Sequence, residues 1–313
     1  MRLSICFLFT LVFAGAQKPD NVFKPDEGPV IFSTDAHLVV LHATVFDKSN
    51  HLVTNLQKSA FEVFENGKLQ QIKVFKQEDV PVSLGLIIDN SGSMRDKRQK
   101  VESAALALVK ESNPEDEVFI VNFNDEAYLD QDFTSDIKQM QQGLTKIDSR
   151  GGTAMRDAIR MSIDHLREKA KKDKKVLLVV TDGNDNASMI SLENLVQAAQ
   201  QTGSETEIYA IGLLSEEERR EANRAKRALV SLTEATGGLA FFPKDASDVD
   251  RIAHQVARDL RNQYTIGYSS SNPAMDGSFR TVKVIANGPN HPSVRTRSGY
   301  YAAKEDAVSK RGQ

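Results

Sequence analysis

Four short, almost uninterrupted apolar runs constrain what this chain can fold into more than any other feature of its sequence. They cover residues 82–89 (VSLGLIID), 118–123 (VFIVNF), 176–181 (VLLVVT) and 208–213 (IYAIGL). Runs of this kind are typical of parallel β-strands that are buried on both faces of a sheet. Parallel strands need crossover connections, which are usually helices. The runs therefore predict an α/β fold.

Amphipathic segments of helical length follow or separate these runs. They cover residues 101–110, 158–170, 192–201 and 249–260, and the last has apolar residues at spacings of three and four. Ser215 begins a further helix, because Glu218 follows it at the spacing of a capping box. Strands alternating with helices in this order predict an open, doubly wound, Rossmann-like parallel sheet.

Both ends of the chain carry segments that predict additional β-structure. They cover residues 39–46, 60–65 and 68–76 before the α/β region, and 264–268, 279–286 and 294–297 after it. Asn66-Gly67 marks a hairpin turn, because both residues tolerate positive φ. No crossover helices separate these strands, so we expect the two ends to pair in a small β-sandwich into which the α/β domain is inserted. The predicted parts of the β-domain are 36–80 and 263–301, around an α/β domain at 81–262, with a flexible tail at 302–313.

The first residues predict export from the cytoplasm. Residues 1–16 (MRLSICFLFTLVFAGA) combine one positive charge, a short apolar run and small residues, the pattern of a signal peptide cleaved before Gln17. The apolar run is too short to span a membrane as a helix. Residues 17–35, which contain three prolines, predict an extended leader. We expect a secreted or periplasmic protein without a membrane span.

Composition excludes several classes of function. The formal net charge is −3, so nothing in the overall charge favours nucleic acid as a partner. The one cysteine, Cys6, lies within the predicted signal peptide, which excludes a disulfide framework and a cysteine-based zinc site in the mature chain. No phosphate-binding G-x-x-x-x-G-K-[ST] motif is present, so nucleotide hydrolysis has no support.

Oxygen-bearing side chains cluster where the predicted strands end, the usual ligand site of a doubly wound sheet. They are Asp89, Ser91 and Ser93 after the first apolar run, Thr153 in a Gly-Gly-Thr loop, and Asp182 after the third run. Carboxylates and hydroxyls without His or Cys are the donor set of a hard cation such as Mg²⁺. An alternative is that the aspartates only cap helices and the serines only bond to loop backbone.

These motifs resemble the metal-ion-dependent adhesion site of von Willebrand factor type A (VWA) domains: D-x-S-x-S at Asp89, Ser91 and Ser93, Thr153 in GGT, and Asp182 in TDG. The flanking segments, such as FEVFENGKLQQIKVF and VRTRSGYY, resemble bacterial secreted VWA-related proteins. The resemblance implies that these five residues bind a divalent metal, the hydroxyls directly or through water and the aspartates often through water. Asp96 lies where integrin-like domains begin a second metal site, but Lys97 replaces the next acid, so no second metal is expected.

The donor set also predicts the kind of ligand. Two carboxylates and neutral hydroxyls leave a divalent cation with unbalanced positive charge and an open position, which an Asp or Glu of a partner protein can fill. We therefore expect a non-enzymatic, Mg²⁺-dependent protein-binding module, with Mn²⁺ and Ca²⁺ as alternative ions. A non-catalytic accessory subunit of a secreted enzyme complex is the second hypothesis. A metal-dependent hydrolase is the third, but it lacks a predicted base beside Ser91 or Ser93.

Overall fold

The computed structural model describes residues 38–304 except for residues 78, 112, 146–149, 184, 204, 215–218 and 290. The predicted signal peptide and leader, the capping box at Ser215 and residues 305–313 of the predicted tail lie outside the described residues. The described residues belong to one compact unit.

The described residues contain fourteen strands and six α-helices. The strands are β1 (Leu38–Phe46), β2 (Phe61–Glu65), β3 (Lys68–Gln70), β4 (Ile72–Lys76), β5 (Val82–Asp89), β6 (Glu117–Phe123), β7 (Ala127–Thr134), β8 (Lys174–Thr181), β9 (Thr206–Gly212), β10 (Ala240–Phe241), β11 (Tyr264–Ser269), β12 (Phe279–Ala286), β13 (Ser293–Arg295) and β14 (Gly299–Tyr301). The helices are α1 (Arg98–Glu111), α2 (Ile137–Thr145), α3 (Met155–Lys169), α4 (Leu192–Ala199), α5 (Arg219–Thr236) and α6 (Val249–Arg261).

A six-stranded sheet in the order β10-β9-β8-β5-β6-β7 forms the centre of the α/β region. The four apolar runs of the sequence form β5, β6, β8 and β9, which are parallel and almost wholly buried. The predicted α/β class, a mostly parallel sheet flanked by helices, is confirmed. The sheet is mixed rather than fully parallel, because the edge strand β7 runs antiparallel to β6.

Helices cover both faces of this sheet. Apolar residues of α1, α2 and α6 pack on one face, and those of α3, α4 and α5 pack on the other. Gly85 in the central strand β5 permits close packing on the face covered by α3, α4 and α5. A Cβ added to Gly85 would lie 2.4 Å from the Phe119 ring and 2.5 Å from the Leu177 side chain. The two-sided burial accounts for the apolar character of the strands.

Strands from the two ends of the chain pair with each other. β1 pairs antiparallel with β11, and β2 pairs antiparallel with β12. The resulting four-stranded sheets, β13-β1-β11-β4 and β14-β12-β2-β3, share one apolar cluster that includes Leu41, Val63, Tyr264 and Val284. The predicted strand at 68–76 is wrong in one respect, since it is two strands in different sheets: β3 pairs with β2, and β4 pairs with β11.

A buried polar cluster lies where α6 ends against these β-strands. Arg295 of β13 bonds to Asp259 of α6 at 3.0 Å, and Gln263, two residues after the helix, donates to Glu207 of β9 at 2.8 Å. Lys174 of β8 donates to the carbonyl oxygen of Leu260. None of the helices within the described part of the chain has both the length and the apolarity needed to cross a lipid bilayer.

Candidate metal centre

Three loops meet at the carboxyl ends of β5, β6 and β8. Asp89 is the last residue of β5, and Asp182 directly follows the adjacent parallel strand β8. The loop before α3 joins them, because Arg150 N donates to Asn90 O at 3.1 Å and Asn186 N donates to Thr153 O at 3.1 Å. Loops at the same ends of neighbouring parallel strands form the usual ligand site of such sheets.

Hydroxyl and carboxylate oxygens of three predicted site residues form a continuous chain. Ser91 Oγ lies 3.1 Å from Ser93 Oγ, and Ser93 Oγ donates to Asp182 Oδ1 at 2.8 Å. Neighbouring ligands of an octahedral Mg²⁺ lie about 2.9 Å apart, because each is about 2.0–2.1 Å from the ion at right angles to the next. The observed oxygen spacings therefore fit adjacent positions of an octahedral cation site. Ser91 is buried and Ser93 is exposed to solvent.

Asp89 lies beneath these serines and holds their loop. Its Oδ1 accepts from Ser91 N at 2.8 Å, and its Oδ2 accepts from Thr181 Oγ1 at 2.6 Å. Burial raises the pKa of Asp89 to about 6, and the nearby Asp182 carboxylate adds to the shift. The two hydrogen bonds oppose the rise because they favour the charged form. A cation at the neighbouring oxygens would favour the same charged form.

Thr153, in the loop before α3, is the last of the five predicted site residues. A Cβ placed on Gly183, the residue after Asp182, would lie 3.6 Å from Thr153 Oγ1. The backbone of Thr153 is fixed by Asn186, whose side-chain oxygen accepts from Thr153 N at 2.9 Å. The structure thus brings the five predicted site residues to one edge of the sheet.

Two residues that support the threonine loop were not predicted from the sequence. Asp125 Oδ1 accepts from Gly152 N at 2.7 Å, and Asn186 bonds to Thr153 as described above. Asp125 follows β6, so the rule that led to Asp89 and Asp182 applies to it as well. The bond made by Asn186 depends on how its loop folds back, and we find no local pattern in the sequence that predicts it.

Lys97 makes a third contact at this edge of the sheet that the sequence does not predict. Its ammonium contacts Asp182 Oδ2 in a short ion pair, and it lies 3.5 Å from the carbonyl oxygen of Leu213. The Lys97 side chain is 31% exposed, whereas that of Asp182 is 1% exposed. A cationic side chain therefore already neutralises one of the two predicted carboxylate ligands.

The donor set fits a hard divalent cation only when its hydroxyls are counted. Within the described ranges of the chain, no group of three or more His, Cys, Asp or Glu side chains is placed to hold a metal ion. The two aspartates at this edge of the sheet are supplemented by Ser91, Ser93 and Thr153. Hydroxyl and carboxylate oxygens suit Mg²⁺ better than softer transition metals.

Residues 84–184 match the family model of the von Willebrand factor type A domain. The matched segment contains all five predicted site residues, from Asp89 to Asp182. The chain therefore contains a von Willebrand factor type A domain, as its sequence motifs predict.

Several solved structures are similar to this chain. Proximal thread matrix protein 1 from the mussel byssus is 18% identical, with 61% of this chain and 49% of that chain covered and a TM-score of 0.47. BatB from Bacteroides thetaiotaomicron is 19% identical, with 57% and 98% covered and a TM-score of 0.46. A von Willebrand factor type A protein from Catenulispora acidiphila is 13% identical, with 82% and 78% covered and a TM-score of 0.49. The chain thus spans about half the length of the mussel protein. No curated protein sequence matches it significantly.

Proposed function

We propose that this protein is a secreted or periplasmic binding module that captures an acidic side chain of a partner protein through a divalent cation. Mg²⁺ is the proposed ion, and Ser91, Ser93, Thr153, Asp89 and Asp182 would hold it directly or through water. The observation that carries the proposal is the spacing of 3.1 Å and 2.8 Å between the oxygens of Ser91, Ser93 and Asp182. The predicted signal peptide at 1–16 supports export.

The charge of the donor set supports an acidic ligand. The three hydroxyls are neutral and the two aspartates carry two negative charges, while Lys97 beside Asp182 adds one positive charge. A bound divalent cation therefore leaves the site with a net positive charge, which attracts a further anionic oxygen. Ser93 is exposed, which leaves this side of the site open to a partner. The metal would supply the positive charge that binds the partner's carboxylate, while this chain's residues fix the place of that charge at the sheet edge.

A role in binding is favoured over hydrolysis by the environment of the serines. The exposed Ser93 hydroxyl bonds to Ser91 Oγ and to Asp182 Oδ1. Asp182 is also paired with Lys97. Among the described residues no histidine, the usual base of a serine nucleophile, bonds to either of these serines.

The proposal is tested by metal-dependent capture. The mature chain, immobilised, is incubated with culture medium of the source organism in Mg²⁺ and then washed with EDTA. We expect at least one protein to be retained in Mg²⁺ and released by EDTA, and Ser93→Ala to retain none of it. Ser103→Ala is the matched control, because Ser103 lies on the exposed side of α1 and its hydroxyl donates to Gln99 O. Retention that is equal in EDTA, or equal in Ser93→Ala, would contradict the proposal.

A further inference from the structure

Lys97 is part of the same loop that carries the two serines. Successive turns connect them, because Met94 N donates to Ser91 O at 3.1 Å and Lys97 N donates to Met94 O at 3.0 Å. Lys97 O in turn accepts from Lys100 N and Val101 N at the beginning of α1. The backbone of Lys97 is therefore fixed relative to Ser91, and only its side chain is free to change direction.

The two oxygens of Asp182 serve different partners. Oδ1 accepts from Ser93 Oγ, and Oδ2 binds the Lys97 ammonium. Because the Asp182 side chain is 1% exposed, its charge is screened little by water, and a nearby cation is strongly favoured. A divalent ion held by Ser93 and Asp182 would lie close to that ammonium, and the two positive charges would repel each other.

We propose that Lys97 is a tethered competitor of the divalent cation, which pairs with Asp182 when no metal is bound and gives up that carboxylate when the metal binds. This inference rests on the proposed function, since it assigns a regulator to the same site. The Lys97 side chain is 31% exposed, so the ammonium can reach water without disturbing the core. The competition lowers the affinity of the site for its ion and keeps Asp182 neutralised in the metal-free protein.

Three variants separate competition from support of the fold. Lys97→Met removes the charge and keeps an apolar chain of similar length, and Lys97→Arg keeps the charge. Lys100→Met is the matched control, because Lys100 lies one turn further along and pairs with the exposed Asp245 at 3.3 Å rather than with Asp182. Each variant is titrated with Mn²⁺ by calorimetry, and its thermal unfolding is measured in EDTA and in Mn²⁺.

We expect Lys97→Met to bind Mn²⁺ about fivefold more tightly than the unchanged protein, the effect of an ion pair worth about 1 kcal/mol. Lys97→Arg and Lys100→Met should bind as the unchanged protein does. In EDTA, Lys97→Met should unfold at a lower temperature, because Asp182 loses its cation. Its thermal transition should then rise more on addition of Mn²⁺, because the metal replaces the lost charge.

The outcomes distinguish this inference from the proposed function. Equal or weaker Mn²⁺ binding by Lys97→Met would overturn the inference and leave the metal site intact. Binding by Lys97→Met but not by the unchanged protein would show that Lys97 excludes the metal altogether, which would overturn both the inference and the proposed function. Absence of Mn²⁺ binding in both would overturn the proposed function and this inference with it. If Lys97→Met does not fold, Lys97→Gln provides the same comparison with a polar side chain.

Discussion

At the scale of single residues, burial gives several ionisable side chains properties that their type alone does not predict. Asp89 is fully buried beneath the serine loop, and its pKa rises to about 6. The pKa of His42 on β1 shifts in the opposite direction, because burial together with the charges of Lys174 and Arg297 lowers it from 6.5 to about 3. Burial disfavours the charged form in both cases.

His42 predicts how stability depends on pH. Between pH 6.5 and about pH 3 the unfolded chain binds a proton at this residue and the folded chain does not. Stability therefore falls as the pH is lowered through this range, by up to about 1.4 kcal/mol per pH unit.

Urea unfolding at pH 7, 6, 5 and 4 measures the effect. We expect His42→Gln to lose less stability than the unchanged protein between pH 6 and pH 4. His291→Asn, at an exposed histidine, is the control and should follow the unchanged protein. Parallel pH profiles of His42→Gln and the unchanged protein would contradict this prediction.

At the scale of elements, the end of α6 is fixed by charges that come from three different strands. Arg295 of β13 bonds to Asp259 at 3.0 Å, Lys174 of β8 bonds to Leu260 O, and Glu207 of β9 accepts from Gln263. Asp259 is 2% exposed and Glu207 is 4% exposed. Removing one partner of such a buried pair leaves an uncompensated charge, which is costly.

Arg295→Met should therefore destabilise the chain by about 3–5 kcal/mol. The double variant Arg295→Met, Asp259→Asn should lose less than the sum of the two single changes, because no buried charge remains at that pair. Chemical denaturation of the four proteins gives the coupling energy. Arg251→Met, at an exposed residue of α6, is the control and should change stability little. Strictly additive losses would show that Arg295 and Asp259 act independently.

The strands that the sequence predicts most directly are those that are buried on both faces of the sheet. β5, β6, β8 and β9 are covered on both faces, so their side chains are apolar without interruption. β7 escaped prediction because it is an edge strand, and half of its eight residues are polar (AYLDQDFT). The break between β3 and β4 escaped because the chain changes sheet at Gln71 without a glycine or proline to mark it.

The sequence likewise predicts some features of the candidate site and not others. Its five donors stand next to strand ends or in a Gly-Gly-Thr loop, so local sequence finds them. The sequence alone shows Lys97 only as a residue in the place of an acid, because the direction of a long side chain depends on the tertiary structure. Its contact with Asp182 joins residues separated by 85 positions.

At the scale of the whole molecule, the two ends of the chain depend on each other. β1 has β11 and β13 as its neighbours, and β2 lies between β12 and β3. Tyr264, Ile266 and Tyr268 of β11 are fully buried in the apolar cluster that both sheets share. Neither end can bury its apolar residues alone.

Deleting residues 264–313 should therefore expose the apolar faces and open edges of β1 and β2 and cause aggregation. Deleting only residues 305–313 is the control and should leave the elution volume of the protein close to that of the full chain. Size-exclusion chromatography and thermal unfolding of both truncations provide the measurement. A monomeric protein with an unchanged thermal transition after the longer deletion would contradict the mutual dependence of the two ends.

Calorimetric titration with Mn²⁺ and Mg²⁺ tests most directly whether Asp89 and the hydroxyls above it bind a divalent cation. The comparison is between the unchanged mature chain, Asp89→Asn, which keeps the size of the side chain but removes its charge, and Asp89→Ala. We expect saturable binding of one ion per chain in the unchanged protein. Both variants should bind at least about tenfold more weakly, the effect of about 1.4 kcal/mol, and should unfold cooperatively. Affinity in folded Asp89→Asn equal to that of the unchanged protein would contradict the assignment of this edge of the sheet as a metal centre.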